Sequence, residues 1–89
     1  MYEISRTSQF RRDVKLAQKR GQDTDHLRTV IETLVQGQPL SPKYRDHALK
    51  GVFKDCQECH IEGDWLLIYR IQGNVLQLIR TGTHSDLFR

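Results

Sequence analysis

Toward its C-terminal end the chain carries an almost unbroken apolar run, Trp65-Leu66-Leu67-Ile68-Tyr69, extended by Ile71 after a single arginine. Turn formers bracket it: Glu62-Gly63-Asp64 before, Gln72-Gly73-Asn74 after. Such a run between turns is the signature of a strand at the centre of a sheet. With that strand in place, its neighbours follow from the alternation on either side. Residues 52–61 and 75–81 repeat with a period of two and predict flanking strands. Gly73 and Asn74 tolerate the positive φ that a tight hairpin between the last two strands needs.

The first half has a different rhythm. Tyr2 and Ile4 alternate with Glu3 and Ser5, which predicts a short opening strand over residues 2–6. Phe10, Val14 and Ala17 then recur at helical spacing, with Thr7 or Ser8 as the cap and Gly21 as the stop. Leu27, Val30, Ile31 and Leu34 make a second stripe, capped by Asp23 or Thr24 and ended by Gly37. The two prolines of Gly37-Gln38-Pro39-Leu40-Ser41-Pro42 mark a loop. The expected order is β-α-α-β-β-β. It describes one α+β domain over residues 1–89, an antiparallel-rich small sheet with a helical hairpin packed on one face.

A chain of 89 residues has a small core, so any active site has to sit in a shallow surface groove. Lys and Arg number 14 against 11 Asp and Glu, a net charge of +3 with a sequence pI of about 9.1, which favours anionic partners such as nucleic acid, a ribosome or an acidic protein. The N-terminus shows no secretory h-region, and the apolar run is too short to span a bilayer. The expectation is a cytoplasmic protein without a membrane partner, in which Cys56 and Cys59 form no disulfide.

The C-terminal half is rich in side chains able to move protons and hold phosphate: His47, His60, Asp64, Arg80 and His84, with Lys50 and Lys54 adding positive charge. If the strands pair as hairpins, the turn at Asp64 and the end of the last strand share one end of the sheet. His60, Asp64, Arg80 and His84 then meet in one groove. That set suits RNA cleavage by the 2′-hydroxyl, which needs a base, an acid and a cation over the phosphorane. Histidine, with a pKa near about 6.5, serves either proton role. An arginine fork matches phosphate oxygens. No metal or other cofactor is required. The plainer reading makes the histidines surface residues, Arg80 a cross-strand partner of a carboxylate and Asp64 a turn former. His26 stands apart from the set, in the second helix.

Two further patterns compete. Three histidines and an aspartate could ligate zinc or manganese, but no short pair such as His-x-x-x-His is present. Cys56-Gln57-Glu58-Cys59-His60 matches the haem-attachment pattern C-x-x-C-H. In a strand, residues three apart face opposite sides, so Cys56 and Cys59 cannot grip one haem, share one metal or close a disulfide. Cys59 and Ile61 are expected to face the core, with Cys56, Glu58 and His60 facing outward. Trp65 reads as core. Phe88 either stacks on a base or closes the end of the fold against Leu87.

Four segments carry a resemblance: Asp13-Val14-Lys15-Leu16-Ala17-Gln18-Lys19-Arg20, Tyr44-Arg45-Asp46-His47, the stretch Cys59-His60-Ile61-Glu62-Gly63-Asp64-Trp65 through Tyr69, and Arg80-Thr81-Gly82-Thr83-His84-Ser85-Asp86-Leu87-Phe88. Together they resemble the YafQ branch of the RelE toxin superfamily over almost the whole length. The resemblance implies a toxin of a type II toxin-antitoxin system: a ribosome-dependent endoribonuclease acting on mRNA in the A site, silenced by a cognate antitoxin that is usually a ribbon-helix-helix dimer. By motif position the active-site residues it implies are His47, His60, Asp64, Arg80, His84 and Phe88. His84 would be the general acid, and Asp64 or His60 would help activate the 2′-hydroxyl. Arg80 would hold the phosphate, His47 would support substrate binding and Phe88 would position a base. Family members often carry proline where this chain has Gly63, which implies a looser turn before Asp64. The competing expectation is a non-catalytic module of the same fold that only binds an antitoxin or RNA.

Overall fold

In the computed structural model, which describes residues 1–88, the opening strand β1 (Glu3–Arg6) leads into helix α1 (Ser8–Lys19) and helix α2 (Thr24–Val35). Thr7 caps α1 by accepting from the Phe10 amide, and Asp23 caps α2 by accepting from the amides of Asp25 and His26. After the loop come a two-residue strand β2 (His47–Ala48), then β3 (Gln57–Glu62), β4 (Trp65–Gln72) and β5 (Val75–Gly82), and a one-turn helix α3 (His84–Leu87). The sheet order is β1-β5-β4-β3-β2. β1 runs parallel to β5, and the remaining neighbours are antiparallel.

The apolar run is central, as its composition predicts. From Trp65 to Tyr69 every residue of β4 is buried, because the sheet is covered on both faces. On one face α1 and α2 bring Phe10, Ala17, Leu27, Val30 and Leu34 onto Cys59, Ile61, Leu67, Tyr69, Leu76 and Leu78. On the other, Leu49, Phe53, Ile79 and Leu87 close over Cys56, Leu66 and Ile68. Burying a leucine or isoleucine fully stabilises by about 1.5–3 kcal/mol relative to leaving it exposed, so β4 alone anchors much of the fold.

Four expectations change. The strand expected over residues 52–61 begins only at Gln57, because Gly51 and Asp55 both take positive φ and residues 51–53 curl into a 3₁₀ turn. Those left-handed residues break an extended chain and fold Phe53 back onto the sheet. Cys56 and Glu58 are therefore not outward in the solvent sense. They point away from the helices but are 7% and 3% exposed, Cys56 as part of the second cluster. The expected β-α-α-β-β-β order also lacked β2 and α3, both too short to leave a periodicity. At the last hairpin only Gly73 takes positive φ; Asn74 does not.

Register places the chemistry. Glu58 pairs with Ile68 and Ile68 with Arg80; His60 pairs with Leu66 and Leu66 with Gly82. Cross-strand partners share a face, so Glu58 and His60 project from the side of the sheet opposite α1 and α2, while Arg80, beside the register shift at Ile68/Tyr69, turns over the edge of β5 to Asp13 on α1.

Candidate active site

α3 begins at His84, immediately past the end of β5, and the β3–β4 turn presents Asp64 to it. Asp64 Oδ1 accepts from the His84 amide at 3.1 Å and lies 2.5 Å from His84 Nδ1. The imidazole hydrogen bond, with the backbone one behind it, holds the Asp64 carboxyl below its ordinary range. With Nδ1 turned to the carboxylate, Nε2 of His84 is the ring nitrogen left free of that contact. The turn is not loose around Asp64. Gly63 has φ of +49°, which proline cannot adopt, and the two contacts to His84 fix the aspartate.

α3 is itself pinned. Thr83 and Asp86 form a reciprocal capping box, and Arg20 at the end of α1 grips Asp86 through Nη1 at 2.6 Å and Nη2 at 3.2 Å. The Arg20 hydrogen bond leads the effects that keep the Asp86 carboxyl well below the usual carboxylate range. Gly82 is required by this packing, since a Cβ there would stand 2.9 Å from Asp86 Oδ2 and 3.0 Å from its Cβ.

From His84 a row of rings crosses the site. Its centroid is 5.9 Å from His60 and 6.0 Å from Phe88; His60 is 6.5 Å from His47, and Phe88 meets Phe53 edge-on at 5.7 Å. Behind the histidines lies Glu58, whose Oε1 is 3.4 Å from His47 Nε2 and 3.7 Å from His60 Nε2. A buried carboxylate facing two imidazoles is the residue that alternation alone could not assign to the site. The neighbouring His47 ring is oriented from its other nitrogen, Nδ1, by the Arg45 carbonyl at 2.7 Å.

Arg80, near the end of β5, is already engaged. Its Nε and Nη2 donate to Asp13 on α1 at 2.8 and 3.1 Å, and Asp13 Oδ2 also accepts from the Thr81 amide at 3.1 Å. β1 ends opposite Leu78, so beyond it the edge of β5 is open, and Asp13 fills that gap. Sequence reasoning missed Asp13, which sits in a helical stripe where only its burial marks it. Lys50 and Lys54 are exposed on either side of the 3₁₀ turn that carries Phe53, and Phe88 is 43% exposed. The structure thus gathers His47, His60, Asp64, His84 and Phe88, adds Glu58, and leaves Arg80 tied to Asp13.

The family described as bacterial toxin of type II toxin-antitoxin system, YafQ, matches residues 2–89. The chain belongs to the YafQ family. A curated YafQ relative, the mRNA interferase toxin YafQ of Escherichia coli strain K12, is 41% identical over 87 residues, covering 97% of this chain and 95% of that protein. YafQ in the E. coli DinJ-YafQ complex superposes with a TM-score of 0.93 at 40% identity over all of both chains. A metal-bound toxin from Helicobacter pylori does so with a TM-score of 0.92 at 46% identity, over 99% of this chain and 100% of that one. The fold is therefore the RelE-like α+β fold of the YafQ toxins.

Among the described residues of this YafQ chain, no group of three or more His, Cys, Asp and Glu side chains is set to hold a metal ion. The thiols lie on opposite faces of the sheet, Cys59 under the helices and Cys56 under Phe53 and Leu49. Burial pushes the Cys59 thiol up to about 12 and raises that of Cys56, so neither is poised as a thiolate ligand or nucleophile. No described helix is long and apolar enough to cross a membrane.

Proposed function

We propose that this chain is an endoribonuclease that cuts messenger RNA by attack of a 2′-hydroxyl on the adjacent phosphate, acting in the A site of the translating 70S ribosome. The observation that supports this most directly is the ring row itself: His84, oriented by Asp64, faces His60, which has the Glu58 carboxylate behind it. An acid and a base stand side by side, about one phosphate apart.

In the reaction the bond from the 2′-oxygen to phosphorus forms and the bond from phosphorus to the 5′-oxygen breaks. The products are a 2′,3′-cyclic phosphate and a 5′-hydroxyl. His60 takes the 2′ proton, with Glu58 stabilising the imidazolium that results. His84 delivers a proton from Nε2 to the departing 5′-oxygen, while Asp64 accepts from Nδ1 and fixes the tautomer. Asp64 is occupied in orienting His84, which leaves the base role to His60. Arg80, braced by Asp13, supplies fixed positive charge for the phosphorane. His47 supports substrate, Phe88 stacks on a base with Phe53 as its brace, and Lys50 and Lys54 follow the RNA backbone. Side chains supply every group the reaction needs, so we assign no metal or cofactor to it.

The E. coli YafQ relative crystallises with the protein DinJ. A cognate antitoxin, a ribbon-helix-helix dimer, holds this toxin inactive in the cytoplasm, where its ribosomes are. The decisive experiment is primer extension on mRNA programmed into ribosomes, using toxin stripped with a chelator beforehand. Cleavage by the stripped wild type and none by His84→Ala is the expected result. Intact mRNA with wild-type toxin would instead leave a non-catalytic module of the same fold.

A further inference from the structure

Beside the ring row, on the other side of His60, the structure has a second concavity. It encloses about 460 Å³ between the start of α2, the 3₁₀ turn Pro42–Tyr44 and the end of β3, and is lined by His26, Lys43, Tyr44, Arg45, His60 and Glu62 among others. That volume falls in the range of small-ligand sites, about 300–1,000 Å³. Of its named lining residues, only His60 has a role assigned above.

Its lining is chemically particular. Lys43 and Arg45 are exposed cations at its mouth, and Lys43 Nζ is steered over the Tyr44 ring at 5.1 Å. His26 meets Tyr44 edge-on, with ring centroids 5.9 Å apart, and its Nε2 lies 3.4 Å from the Tyr44 hydroxyl. The one carboxylate, Glu62, is 3.7 Å from His26 Nδ1. Arg45 has φ of +50°, a left-handed conformation in a residue without glycine's freedom. Strain of that kind persists where the surroundings enforce it. Here it sends the Arg45 carbonyl to His47 Nδ1 while its side chain lines the cleft. One residue thus couples the wall of the cleft to the end of the ring row, and His60 belongs to both.

We propose that this cleft is the binding site for the nucleotide next to the scissile phosphate, with that nucleotide's own phosphate held by Lys43 and Arg45 and its base against the His26–Tyr44 wall. The inference rests on the RNA-cleaving reading above. Continuity through His60 favours RNA as occupant: a strand whose scissile phosphate lies between His60 and His84 has its neighbouring nucleotide within reach of the cleft. The cation excess at the mouth suits a phosphate diester, and flat polar rings suit a base.

The test uses a labelled RNA trinucleotide whose 2′-oxygens are methylated, so that it binds without being cut. Its Kd is measured at several salt concentrations by anisotropy. The Lys43→Gln/Arg45→Asn double variant should weaken binding about tenfold or more. It should also lower the log-log salt slope by about 0.7, the value of one single-strand phosphate. Asparagine is chosen because it tolerates the left-handed backbone; Lys43→Gln alone serves as the milder variant, and thermal melting verifies the fold. His84→Gln should do the reverse, keeping the trinucleotide Kd while losing mRNA cleavage. Wild-type Kd and slope in the double variant overturn the proposal, including the case where only antitoxin binding weakens, which would make the cleft a protein site. Cleavage persisting in His84→Gln while the double variant loses RNA binding would instead overturn the catalytic assignment and leave the cleft standing.

Discussion

His84 sits on a single turn of helix, and its ring direction depends on Asp64. Removing the ring by His84→Ala should cut the cleavage rate by roughly 10²- to 10⁴-fold, the usual range for a positioned acid. The melting temperature should barely move, because the ring is exposed. Asp64→Asn keeps the shape and removes the charge that fixes the tautomer. Because the folded Asp64 carboxyl titrates below its ordinary range, the stabilisation from its hydrogen bonds to His84 is present above that range and is lost as pH falls through the lowered value. Carbon-detected NMR of the Asp64 carboxyl should therefore show a midpoint below 3.8 in wild type and a higher one in His84→Ala, where only the backbone hydrogen bond remains to lower it. At this scale the sequence was readable where the motif was readable: His47, His60, Asp64, His84 and Phe88, which the resemblance singled out, lie close together in the structure. Glu58 and Asp13 were not, because each looks like a surface acid in its period and only a partner distant in sequence sets it apart, His47 and His60 for one, Arg80 for the other.

α3 has four residues, far too few to be stable alone, and persists only through its ties to the rest. Thr83→Ala removes the cap, a loss of about 0.5–2 kcal/mol that falls locally on the turn bearing His84. Arg20→Ala removes the clamp on Asp86 from 66 residues away. Single-turnover cleavage should fall several-fold in Arg20→Ala, short of the roughly 10²-fold that a 1 Å misplacement can cost, with partial recovery in Arg20→Lys. The folded Asp86 carboxyl is depressed, so its contribution to stability holds at neutral pH and drains away as pH drops below the ordinary carboxylate range. Acid titration monitored by circular dichroism should thus show a shallower loss in Asp86→Asn than in wild type. Elements of this length leave no periodic trace, which is why α3 and β2 were invisible in the sequence. The long ones were legible because repeated apolar spacing accumulates. The strand start at Gln57 was misplaced for a related reason: Val52, Phe53 and Cys56 look strand-like, and only the left-handed backbone at Gly51 and Asp55 reveals the curl.

Across the whole molecule, two apolar clusters share β4 as their common wall. Leu67→Ala, at 0% exposure, should cost about 2–5 kcal/mol, and in a domain this small each kcal/mol lowers the melting temperature by about 4–8 °C. Leu16→Ala, at 42% exposure, should change it little, a contrast that calorimetry can read directly. The overall architecture was foreseeable from one buried run flanked by turns, with helices ahead of it. How the halves lock together was not, since Asp13 with Arg80 and Arg20 with Asp86 are matches between residues nearly a chain length apart.

The parallel seam between β1 and β5 carries one more consequence. Thr7 bonds Ile79 across 72 residues, so the first strand made finds its partner only when nearly everything between has been threaded into place. Closing so long a loop is slow, and antiparallel β4–β5 can form by itself far sooner. The molecule should therefore assemble from its rear hairpin forward, with its opening segment left waiting, unpaired, until the last act.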